Sequence, residues 1–68
     1  MQFTVELERE TDGRWIAEVR ELPGVLAYGS TRAQALAAVK ALALRTLADR
    51  IEHGEIGGDL SDLSFLAA

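Results

Sequence analysis

The chain has 68 residues, no cysteine and a single histidine, and its 7 basic and 11 acidic residues give a formal charge of −4 at pH 7. That is room for one domain over residues 1–68, and it excludes a disulfide framework and an all-protein zinc site. The basic residues are scattered from Arg9 to Arg50, which excludes a basic patch that tracks phosphates.

Small size and high apolar content pull against each other. A chain of this length buries only about 60% of the surface that its unfolded form exposes, yet 49% of its residues are hydrophobic. Self-association is the expected source of further stability. Met1-Gln2-Phe3-Thr4-Val5-Glu6 lacks the basic, apolar and small-residue order of a secretory signal, and no apolar run reaches the length that spans a bilayer. A soluble cytoplasmic protein is expected.

The first third is written with a period of two. Phe3, Val5 and Leu7 alternate with Thr4, Glu6 and Glu8, the pattern of a strand with one buried and one wet face. Glu10-Thr11-Asp12-Gly13 supplies turn chemistry. A second strand then runs from about Arg14 to Arg20, with Trp15, Ala17 and Val19 on one side and Ile16 among Arg14, Glu18 and Arg20 on the other. Leu22-Pro23-Gly24 breaks this strand, and Val25-Leu26-Ala27-Tyr28 reads as a third one closed by Gly29.

At Ser30-Thr31 the period changes. Thr31 and Gln34 have the spacing of a capping box, and the Ala- and Leu-rich run that follows contains neither Gly nor Pro until Gly54. The expectation is one helix of about 22 residues ending at His53. Ala35, Leu36, Val39, Leu42, Ala43, Thr46 and Leu47 share an arc that would cover the sheet. Leu44 and Ile51 lie outside it, either widening the core-facing stripe or forming a contact between subunits. Beyond Gly57-Gly58, Leu63 and Phe65 alternate with Asp62 and Ser64, so a short final strand is expected, paired with its own sheet or with a neighbour's. The fold class is therefore α+β in the order β-β-β-α-β: an antiparallel three-stranded meander covered by one long helix, with a short C-terminal strand. Leu44, Ile51, Leu63 and Phe65 are the candidate oligomer interface.

No residue pattern points to catalysis. Glu6, Glu8 and Glu18 fall on the polar side of two adjacent strands, and Glu21, Asp49 and Asp59 complete the carboxylates one would consider for two-metal chemistry. Alternating Glu is, however, the ordinary signature of a solvated strand face. His53 stands at the last turn of the helix, where it complements the dipole or simply meets solvent, and no Ser, Cys or Asp is spaced to make it a base. Trp15 shares its face with Ala17 and Val19, which favours packing over base stacking, and the same is expected of Tyr28. No catalytic residue, metal or cofactor is expected.

Four segments occur in a recognisable order: Asp12-Gly13-Arg14-Trp15-Ile16-Ala17-Glu18-Val19, Glu21-Leu22-Pro23-Gly24, Gly29-Ser30-Thr31 and Gln34-Ala35-Leu36. Together they resemble the signature of HicB-like antitoxin domains over nearly the whole chain. Arg20, Val25, Ser30 and Arg32 depart from residues common in that family, and Ser30 keeps the capping character of the Asp often found there. The resemblance implies a partial ribonuclease-H-like fold that forms dimers or tetramers and neutralises a HicA-type toxin, a small RNA-cleaving protein. The toxin-facing surface would be the polar strand face of Glu6, Glu8, Ile16 and Glu18. An acidic chain suits a basic RNA-binding partner. The chain ends before a C-terminal DNA-binding domain of the kind many members carry, so no direct contact with nucleic acid is expected. The alternative is an orphan domain of the same fold that acts as a scaffold or small-ligand binder.

Overall fold

In the computed structural model, which describes residues 1–55 and 62–68, the alternating residues fold as strands β1 (Gln2–Arg9), β2 (Trp15–Val19) and β3 (Leu26–Gly29). Helix α1 (Arg32–Glu52) and strand β4 (Ser64–Ala67) follow. The sheet order is β3-β2-β1-β4, with β1, β2 and β3 an antiparallel meander and β4 added parallel to β1. The expected α+β class and element order are thus what the chain adopts. The Gly57-Gly58 tether and Asp59 lie outside the described residues.

Each turn is held by the chemistry its residues bring. At the first, Gly13 N–H donates to the Glu10 carbonyl at 3.0 Å, and Glu10 N–H donates to the Arg14 carbonyl at 2.7 Å. Asp12 braces it, accepting the Arg14 backbone N–H at 3.0 Å and pairing with the Arg14 guanidinium at 2.7 Å. At the second, Pro23 precedes Gly24 at φ +87°, and Val25 N–H donates to the Leu22 carbonyl at 3.0 Å. This is the type II arrangement, in which only the third residue needs a positive φ. Because that turn closes on Val25, β3 begins one residue later than the alternation suggests, and Val25 is buried in the core.

The helix is capped at both ends. Thr31 Oγ1 accepts the Gln34 N–H at 3.1 Å, while the Gln34 side chain reaches the N–H of Ser30 at 3.1 Å, one residue before the position a capping box would satisfy. At the C-terminus, Gly54 N–H donates to Ile51 and Glu55 N–H to Arg50, the paired bonds of a Schellman motif.

The core lies between α1 and one face of the sheet. Phe3, Val5, Ala17, Val19, Leu22 and Val25 meet Ala35, Val39, Ala43 and Leu47, and no polar side chain is buried among the described residues. The helix lies chiefly over β3 and β2 and touches β1 less. At the far edge β4 extends the sheet beside β1, with the Phe65 ring next to that of Phe3 at 5.8 Å. Leu63 and Phe65 are therefore half-buried against their own chain. Leu44 and Ile51, at 47% and 42% exposure, do not widen the core-facing stripe. The helix sits directly on the sheet through small residues such as Ala35 and Ala43, which leaves its outer side in water.

Candidate protein-binding face

One side of the sheet has no layer over it. The helix covers the odd-numbered positions of β1 and β2, so period-two alternation puts the even-numbered ones on the open side. The register sets them in rows: Glu8 opposite Ile16 and Ile16 opposite Tyr28, then Glu6 opposite Glu18 and Glu18 opposite Leu26. The four residues Glu6, Glu8, Ile16 and Glu18 thus share one surface, and with Leu7 they line a shallow open depression of about 240 Å³. Tyr28 and Leu26 extend it over β3, at 45% and 36% exposure.

The electrostatics of this face are lopsided. Glu6 and Glu18 are directly opposed across the strands, a placement that costs stability because like charges repel. Arg20 neutralises Glu6 with an Nε–Oε1 contact of 3.1 Å. Arg14 lies over the Tyr28 ring at 4.6 Å and is tied to Asp12. Both cations of the face are thereby engaged within the chain. Among the described residues, Glu8 and Glu18 have no ion pair.

Two carboxylates beside this face are perturbed, both by hydrogen bonds at strand ends. The Thr4 N–H donates to Glu21 at 2.7 Å and holds that carboxyl below its ordinary pKa. Glu21 completes the β1 ladder where β2 turns away, a role hidden in a sequence that shows it only as the start of a turn. The Arg14 backbone N–H, followed by its guanidinium, lowers Asp12 in the same way.

The other sequence candidates fall elsewhere. Trp15 packs half-buried against the core, as its alternation implies, whereas Tyr28 is exposed and already stacked by Arg14. Its exposure follows from its even-numbered place on the open side of an edge strand. At the end of α1, the ligand atoms of Asp49, His53 and Glu55 lie within 4.8 Å of one another, with all three residues exposed. His53 Nδ1 donates to the Asp49 carbonyl at 2.8 Å, so the ring serves the helix end. Contrary to the expectation that no Asp is spaced to reach His53, Asp49 stands four residues before it with a carboxylate oxygen 3.4 Å from Nδ1, because residues four apart are neighbours on a helix surface.

Among the described residues, no helix is long and apolar enough to cross a membrane. Comparison of the chain with protein-family models, with curated proteins and with solved structures finds no match.

Proposed function

We propose that this chain is a non-catalytic protein-binding module, an antitoxin of the HicB-like type that neutralises a basic, RNA-cleaving toxin of the HicA type by direct contact. The observation that carries the reading is the open sheet face, where an uncovered apolar strip of Ile16, Leu26 and Tyr28 borders the carboxylates of Glu6, Glu8 and Glu18. A surface that retains exposed apolar side chains beside unneutralised charge is matched to a partner of opposite sign. The β-β-β-α-β order and the Gly29-Ser30-Thr31 helix start agree with the resemblance drawn from the sequence.

The same face argues against chemistry. A carboxylate recruited for metal-ion catalysis needs partners converging on one ion, whereas Glu6 is held by Arg20 and the perturbed Glu21 is occupied by a backbone N–H. Self-association belongs to this reading as well, with Leu44 and Ile51 on the outer side of α1 as its contact. The cytoplasm is the compartment in which such a pair would act.

The test is complex formation. The product of a short neighbouring gene encoding a basic protein, mixed with this chain, should co-elute as a stoichiometric complex whose ribonuclease activity is suppressed. Separate elution of the two at micromolar concentration would remove the antitoxin reading.

A further inference from the structure

The open face carries a more specific demand than a generally basic partner. Its own cations are engaged, Arg20 by Glu6 and Arg14 by Asp12 and Tyr28. Glu8 and Glu18 remain, diagonal to one another across the β1–β2 pair and both next to Ile16, Glu8 opposite it and Glu18 two residues along β2, lining the shared depression. Diagonal neighbours on one sheet face are roughly 7–8 Å apart at Cα. At that spacing the two flexible carboxylates can turn toward a single cation between them. The place suits a planar guanidinium, which offers donors in two directions and can lay its aliphatic stem on an apolar floor.

We propose that the docking segment is extended and arginine-bearing: one arginine bridges Glu8 and Glu18 beside Ile16, and an adjacent apolar residue rests against Leu26 and Tyr28. This deepens the reading of the face as a partner site. It depends only on the face binding a protein chain and not on that chain being a toxin. A second copy does not fit, because a two-fold contact would set Glu6, Glu8 and Glu18 against themselves. Nucleic acid does not fit either, since the unneutralised charge is negative.

The arrangement also accounts for a local cost. Arg20 offsets part of the repulsion between the opposed Glu6 and Glu18 in the free sheet, and a cation brought by the partner to Glu18 would offset more on binding. Recognition thereby draws on repulsion built into the free chain.

The experiment uses the full chain and three synthetic peptides of alternating sequence: arginine with leucine, lysine with leucine, and citrulline with leucine. Citrulline keeps the shape of arginine without its charge. The arginine peptide should bind at micromolar concentration, the lysine peptide about tenfold more weakly, and the citrulline peptide not detectably. Backbone amide shifts in NMR should change along β1 and β2 and not along α1. Glu8→Gln with Glu18→Gln should weaken the arginine peptide at least tenfold without lowering thermal stability, since both residues are exposed and Glu18→Gln removes a like charge opposite Glu6. Equal affinity for the arginine and lysine peptides, or an unchanged affinity in the double variant, overturns the proposal. Arginine-selective binding, with no inhibition of any basic protein that a neighbouring gene supplies, would support the site and remove the toxin.

Discussion

Gly29 should be the least replaceable residue on the surface of this fold. It ends β3 two residues before the helix cap, and a Cβ built there would fall on the backbone of the first helical turn: the Ala35 nitrogen, the Gln34 carbonyl carbon at 2.8 Å and the Ala35 Cα at 2.9 Å. None of these atoms can rotate away. Gly29→Ala must lift the start of α1 from the sheet, loosening Ala35, Val39 and the Thr31 cap together. Overpacking of this kind costs about 2–3 kcal/mol, a large share of the roughly 5 kcal/mol expected for so small a domain. At about 4–8 °C per kcal/mol, the melting temperature should fall by about 10–20 °C. Gly24→Ala is the control, because its φ of +87° strains a side chain but nothing lies within 4 Å of the added Cβ, so a loss of about 1 kcal/mol is expected. Circular dichroism melts of the two variants decide the matter. If Gly29→Ala melts within 3 °C of the unaltered chain, by the same scale, the close helix approach described above is wrong.

Three further outcomes follow from the packing and the electrostatics. The Glu21 carboxyl is held below its ordinary pKa in the folded state, so its bond to Thr4 contributes stability above the unfolded value and loses it as pH falls through the lowered one. Glu21→Gln should therefore flatten the decline in stability between about pH 5 and pH 3, as urea titrations at each pH would reveal; parallel declines would remove that role. Phe65→Ala should cost about 2 kcal/mol, less than for a fully buried ring, because Phe65 is half-buried on Phe3 within its own chain. The loss should appear at every protein concentration, whereas a loss confined to dilute samples would mean that another subunit covers the ring. Finally, the purified chain should leave RNA and DNA intact with Mg²⁺ or Mn²⁺, and cleavage abolished by Glu6→Gln or Glu18→Gln would make it an enzyme.

Most of the architecture was legible because its causes are local. Alternation in Phe3–Glu8 and Trp15–Val19 names the faces of two strands, Pro23-Gly24 names a turn, and Thr31, Gln34 and Gly54 bracket a helix without interior breakers. What was not legible depends on distance. Alternation in Leu63 to Phe65 shows a strand but not its edge, since pairing parallel to β1 depends on residues about 60 positions away. Packing sends Leu44 and Ile51 outward: small residues let the helix sit low over β2 and β3, so a wider apolar stripe finds no surface to meet.

The face itself was half readable. Parity alone assembles Glu6, Glu8, Ile16 and Glu18, since period two fixes which side chains share a side. The inward engagement of Arg14 and Arg20 was invisible, because it depends on Tyr28 and Glu6 arriving from neighbouring strands. Glu21 was missed for the same reason, its partner Thr4 being 17 residues away.

The most direct test of the proposed function is an inhibition titration against a basic toxin of the HicA type, should a neighbouring gene supply one, using the unaltered chain, a Glu8→Lys with Glu18→Lys variant and a Leu44→Glu variant. The account predicts full inhibition near one equivalent by the unaltered chain and by Leu44→Glu, with inhibition by the reversed-charge variant at least about 100-fold weaker, as expected when like charges face each other across an interface. Full inhibition by the reversed-charge variant, or no inhibition by the unaltered chain, would contradict it.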